Sequence, residues 1–258
     1  MKKKNLWRGL CATMVLIFSL TMFGQSLAFT REGDINLFLG TTPPTIQATD
    51  DTTYIKSDYA SMDEMRADLE AYLIQSQIEG SVLLRNENNA LPLAAGASVT
   101  LFGYAAATPV YHGGSGGPPN DGVNLFDALK EAGAQVNQTV YDAIVAAGGT
   151  RTKTGLIGEI PASAYAGTES SFSQYGDAAI YVMSRYGGEE GDLNHGLQGD
   201  WQEGPAGVPE LSIHQEEIDT LEMIRDSGAF DKIIVVVNSG YAMELGFLEE
   251  YGVDAAVY

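Results

Sequence analysis

The sequence predicts an α/β fold: a mostly parallel sheet with helices on both faces, arranged as a three-layer sandwich. Three observations predict it. Short apolar runs end in turn-rich stretches, as in VTLFGY (99–104), AAIYVMS (178–184) and KIIVVVNSG (232–240). Segments with helical spacing lie between those runs, as in LFDALKEAG (125–133) and IHQEEIDTLEMIRDSG (213–228). The run at 232–240 is apolar without alternation, the pattern of a strand covered on both faces.

The first residues bear on the compartment. Lys2, Lys3, Lys4 and Arg8 precede an apolar run from Leu10 to about Phe23, and GQSLA follows. Ser26 and Ala28 are small residues at the spacing a signal peptidase accepts. This is the pattern of a secretory signal peptide, 1–28, cleaved after Ala28. At about 14 residues the run is shorter than the ~20 that span a bilayer. The expected destination is secreted, with no membrane association after cleavage.

Cys11, the single cysteine, lies inside this segment, so the mature chain has no disulfide or thiolate chemistry. The full chain carries a net charge of −20. Cleavage removes four of its 14 basic residues and none of its 34 acidic ones, leaving a net of −24. Such a surface repels nucleic acid and anionic membranes and is compatible with a neutral substrate such as a sugar.

Residues 29–60 show no sustained period and read as an extended lead-in. The domain proper is 61–258. Ser61 with Glu64 fits a capping box, and Met62, Met65, Leu69, Leu73 and Ile74 recur at helical spacing before Gly80 ends the helix. SVLLRNENNALPL (81–93) is a short apolar run followed by a polar turn. VTLFGY is a buried strand and leads into the glycine-rich 111–122. The helix at 125–133 precedes a strand candidate at 134–140 and a short helix at 141–147. Residues 148–168 read as loop, and SSFSQYGD (170–177) as a helical turn. AAIYVMS is the next strand. After a long connection, a helix with Ile213, Ile218, Leu221, Met223 and Ile224 on one side leads to the strand at 232–240. A helix around MELGFLEEYG and a strand AAVY (255–258) follow, and the last strand and helix of the sandwich read as incomplete.

Ligands of open α/β sheets bind outside the carboxyl ends of the strands. The loop RYGGEEGDLNHG (185–196) leaves AAIYVMS at that end. By charge alone it reads as a solvated acidic loop. Glu189, Glu190 and Asp192 also crowd one another, and mutual repulsion raises the proton affinity of at least one, as a general acid requires. The run GGSGG (113–117) fits neither G-x-G-x-x-G nor a P-loop. His112, His195 and His214 have no metal-like spacing, and His214 reads as a surface residue near a helix start. Asn137-Gln138-Thr139 matches a glycosylation acceptor.

An ordered set of segments carries a resemblance: EGSVLLRNENNALPL (79–93), VTLFGY with the GGSGG loop, AAIYVMSRYGGEEGD, LSIHQEEIDTLEMI and KIIVVVNSGYAMEL. Together they resemble the second, α/β-sandwich domain of glycoside hydrolase family 3 over most of 79–258. The resemblance implies a retaining exo-β-glycosidase, β-glucosidase-like. Its substrate is an oligosaccharide or an aryl or alkyl glycoside, and no metal or organic cofactor is implied. In that family a barrel carries the aspartate nucleophile, and a loop of the sandwich often supplies the acid/base glutamate in a Gly/Ser-Glu-x-x-Asp setting. Gly188-Glu189-Glu190-Gly191-Asp192 matches that setting, which assigns Glu189 over its neighbour Glu190. Tyr186, Asp192 and Trp201 are the candidate substrate-binding residues. Family members usually place the barrel first. Here the sandwich comes first, as in permuted members, so the barrel is expected beyond residue 258 and this chain alone is expected inactive. A non-catalytic carbohydrate-binding or interaction module is the alternative.

Overall fold

The computed structural model describes residues 2–40, 57–109, 122–151, 157–185, 209, 211–240 and 242–258. It divides into two compact units, Met1–Ala71 and Tyr72–Tyr258.

The first unit holds helices α1 (Lys2–Thr30) and α2 (Glu32–Leu39) and the beginning of α3 (Met62–Gly80). The apolar run near the N-terminus is embedded in a helix, Lys3–Thr30, long and apolar enough to cross a membrane by length and composition. Helix α2 corrects the expectation of an extended chain throughout 29–60. Glu32 and Asp34 sit in its first turn, where the helix dipole favours negative charge. Arg31 pairs with Asp34 at 3.0 Å. Residues 41–56 of the same segment lie outside the described residues. Helix α3 opens as its sequence predicts. Ser61 Oγ accepts from the Glu64 amide at 3.1 Å, and the Glu64 carboxylate accepts from the Ala60 amide at 2.8 Å. Its apolar residues form no buried stripe, and no residue of α3 is buried.

The second unit runs β1 (Leu83–Asn86), β2 (Ser98–Phe102), α4 (Tyr104–Ala107), α5 (Leu125–Glu131), β3 (Gln135–Val136), α6 (Gln138–Ala147), β4 (Thr150–Arg151), β5 (Ile157–Gly158), β6 (Ala178–Arg185), α7 (Gln215–Ser227), β7 (Ile233–Ser239), α8 (Phe247–Glu250) and β8 (Ala255–Val257). Six strands form one sheet in the order β1-β8-β7-β6-β2-β3. The pairs β2–β3, β2–β6, β6–β7 and β7–β8 are parallel, and the edge pair β1–β8 is antiparallel. This mixed sheet with its helices is the expected α/β fold.

All eight positions of β6 are buried. Neighbouring side chains of a strand point to opposite faces, so both faces of the sheet are covered at its centre. Phe102, at the end of β2, packs edge-on against Tyr165, Phe172 and Phe230 at centroid distances of 5.2, 5.6 and 5.7 Å. Asn137 caps α6, accepting from the Val140 amide at 3.3 Å. Its amide nitrogen donates to Thr100 Oγ1 at 3.1 Å and Ser171 Oγ at 2.8 Å. The side chain is fully buried, so the acceptor motif at 137–139 is not a glycan site in this fold.

Residues 148–168, expected as loop, contain more structure. β4 and β5 pair as a small antiparallel sheet, and Ala162–Tyr165 forms a 3₁₀ turn. Ile160 and Tyr165 of this segment are core residues. Each element spans one turn or two residues, too short for a periodicity to register.

Candidate active site at the carboxyl edge of the sheet

The parallel strand β2 ends at Phe102, opposite Tyr181, four residues before β6 and β7 end side by side at Arg185 and Ser239. Ser184 Oγ donates to Asn238 Oδ1 at 2.9 Å and links the last two. After β2 the chain turns at Gly103, with φ of 92°. A Cβ there would stand 2.5 Å from the Val182 carbonyl oxygen, so the turn and the close approach to β6 both require glycine. The Gly103 amide donates to Tyr165 Oη at 2.9 Å.

The next amide, that of Tyr104, donates to Glu159 Oε1 at 2.7 Å. The Ile160 amide donates to the same oxygen at 2.8 Å, and Tyr181 Oη donates to Oε2 at 3.3 Å. Glu159 thus ties the turn after β2 to the side of β6. Burial pushes its carboxyl up to about 7. The two amides and the Tyr181 hydroxyl pull it back, and the nearby Glu217 charge adds to the rise. Burial also raises the phenols of Tyr165 and Tyr181, which therefore stay neutral.

At the end of β6 stands a buried ion pair. Arg185 Nη1 donates to Glu217 Oε1 and Nη2 to Glu217 Oε2, both at 2.6 Å. Each side chain is 3% exposed. Glu217 lies in the first turn of α7, and its Oε2 also accepts from the His214 amide at 2.8 Å. Arg185 Nη1 reaches the Ser184 carbonyl at 3.0 Å and Nη2 the Ser212 carbonyl at 2.9 Å. His214, expected at the surface, is buried at the N-cap of α7. Burial, helped by the Arg185 charge, lowers its pKa. Its place between β6 and the start of α7 is set by tertiary packing that its local sequence does not encode.

The sequence-predicted site residues Tyr186, Glu189, Asp192 and Trp201 lie outside the described residues, as do Glu190, His112, His195 and the glycines at 113–117. The described chain reaches both flanks of the acidic loop: Arg185 on one side, and Leu211 and Ser212 on the other. Sequence reading missed Glu159, Arg185 and Glu217. The signal for Glu217 was present. Glu217, Thr220, Leu221 and Ile224 form the buried stripe of α7 at i, i+3, i+4 and i+7, and a carboxylate on an apolar stripe asks for a buried partner. Ile213, Ile218 and Met223, expected on that stripe, are only partly buried. Arg185 was passed over because a charged residue after an apolar run reads as the first residue of a loop.

Comparison with known proteins bears on this edge. A profile of the glycosyl hydrolase family 3 C-terminal domain matches residues 81–258. A β-glucosidase of Ruminococcus albus is 30% identical over 214 residues, 79% of this chain and 20% of that protein. Among solved structures, β-glucosidase 3B of Thermotoga neapolitana, in complex with α-D-glucose, aligns with a TM-score of 0.56 at 24% identity, covering 77% of this chain and 27% of that one. A β-glucosidase of Paenibacillus barengoltzii aligns with a TM-score of 0.55 at 22% identity, covering 72% of this chain and 20% of that one. These two structures share the fold. The chain spans 20% of the length of the curated relative. The match over 81–258, on a sheet whose β6 opens into the acidic loop at its carboxyl edge, means that the chain belongs to glycoside hydrolase family 3 through the family's C-terminal domain.

Proposed function

We propose that this chain supplies the acid/base domain of a retaining, β-glucosidase-like exo-glycosidase, and that Glu189 is its acid/base carboxyl. The observation that carries this reading is the course of β6. It runs buried to Arg185, at the edge where open α/β sheets take ligands, and the next residues are Tyr186-Gly-Gly-Glu189. The Thermotoga neapolitana relative was solved with α-D-glucose, consistent with a glucoside as the substrate class.

Retaining hydrolysis needs two carboxyl groups about 5–5.5 Å apart across the scissile bond. Glu189 protonates the leaving oxygen, then takes a proton from the water that releases the glycosyl-enzyme. The nucleophile comes from a barrel domain outside these 258 residues, so the chain alone is inactive. Asp192 and Glu190 tune the proton affinity of Glu189, and Tyr186 and Trp201 stack on the sugar. The chain is exported through residues 1–28. Edman sequencing of the exported protein should begin at Phe29, and a retained Met1 refutes cleavage.

In a barrel-bearing protein, Glu189→Ala is expected to lose about 10²- to 10⁴-fold in kcat on aryl glycosides with poor leaving groups. Azide restores turnover on activated substrates and yields a glycosyl azide. Unchanged activity of Glu189→Gln on a poor leaving group removes Glu189 from the role. Tight sugar binding by the isolated chain, unaffected at Glu189, would instead identify a binding module.

A further inference from the structure

We propose that Arg185 and Glu217 are positioning residues, a clasp that ties together the two chain ends from which the connection 186–211, with Glu189 in it, departs. The inference rests on the reading of Glu189 as the acid, but its test does not use activity.

The pair sits between the two flanks of that connection. Arg185 is the last residue of β6, and Glu217 lies in the first turn of α7. The Arg185 guanidinium grips the Glu217 carboxylate with Nη1 and Nη2 and, with the second hydrogen of each, the carbonyls of Ser184 and Ser212. Glu217 in turn accepts from the His214 amide. Backbone before the connection (184) and after it (212 and 214) is therefore bonded to one buried ion pair. Such two-pronged geometry is specific to arginine.

Stability alone does not explain the pair. Taking two charges out of water offsets most of their attraction, and an apolar pair of similar volume often serves as well. An apolar pair cannot hold the Ser212 carbonyl or the His214 amide. What the charges add is a fixed relation between the two chain ends, in the way that buried polar groups set register elsewhere.

The tryptophans of the chain are Trp7 and Trp201. With Trp7→Phe, the fluorescence of Trp201 reports on the connection alone. The double variant Arg185→Met/Glu217→Met removes both charges and keeps volume. It is expected to retain the parent's circular dichroism and thermal midpoint within a few degrees, while the acrylamide quenching constant of Trp201 rises at least about twofold and its slow anisotropy component falls. Arg185→Lys, which keeps the charge and loses the fork, should fall between the two. It also serves if the double variant does not fold. A Trp201 equally quenched in parent and folded variants, or already as mobile in the parent as a free side chain, overturns the proposal. Glu189→Gln should leave the Trp201 signals unchanged, so failure of the clasp and failure of the acid assignment give different results.

Discussion

Glu217→Ala is expected to destabilise the chain by about 3–5 kcal/mol, the largest loss of any single change at the site. Removing the carboxylate leaves the Arg185 guanidinium 3% exposed and with its two shortest bonds gone. It also frees the His214 amide at the first turn of α7, where an unsatisfied donor has no helical partner. The cost is that of taking one partner out of a buried ion pair, so it should greatly exceed that of replacing both partners by apolar side chains. Urea unfolding followed by circular dichroism measures both. A loss below about 1 kcal/mol for Glu217→Ala would mean that water reaches Arg185 and that the pair is not buried in solution.

The second large effect is a pH dependence set by Glu159. Its carboxyl ionises near pH 7 in the folded chain against a usual value of 4.5, because burial disfavours the charge. Below pH 4.5 folded and unfolded chains both hold the proton. Between 4.5 and 7 the folded chain binds more protons than the unfolded one, so stability falls as pH rises. Above 7 both have released it and the slope from this residue ends. The span corresponds to about 3 kcal/mol. Glu159→Gln mimics the protonated form and still accepts from the Tyr104 and Ile160 amides. Subtracting its urea midpoints from those of the parent across pH 4.5–7.5 isolates the effect. The parent should lose stability relative to the variant as pH rises, and parallel curves would show that Glu159 ionises normally.

Three strands of the sheet were legible because each is a mostly apolar run: 99–102, 178–184 and 233–237 all read correctly as strands. The capping box at Ser61 and the helices at 125–131 and 215–227 were legible for the same reason, since local chemistry marks their ends. Other features depend on partners distant in sequence. Nothing near Glu159 indicates that its carboxylate meets the Tyr104 amide and the Tyr181 hydroxyl, and nothing near Leu83 indicates that β1 pairs antiparallel with β8. The acid carboxyl was approachable only through motif and resemblance, because charge crowding at Glu189, Glu190 and Asp192 fits a solvated loop equally well. The α3 residues Leu69, Leu73 and Ile74 show the reverse failure. Their spacing predicts a helix and one forms, but spacing alone does not say what covers it.

The pairing of β1 with β8 has a consequence for synthesis. Leu83 lies opposite Val257, and the Val82 amide and carbonyl bond to Tyr258. Among the described strands, β1 is the first to leave the ribosome, and it has no neighbour until β8 follows it. β2 with β3, and later β6 with β7, can assemble on the way, whereas the hydrogen-bonding edge of β1 stays open until β8 has been made. Contacts between such remote stretches form slowly, and an unpaired edge is prone to aggregate. Translation halted shortly before residue 255 should thus leave β1 without its partner.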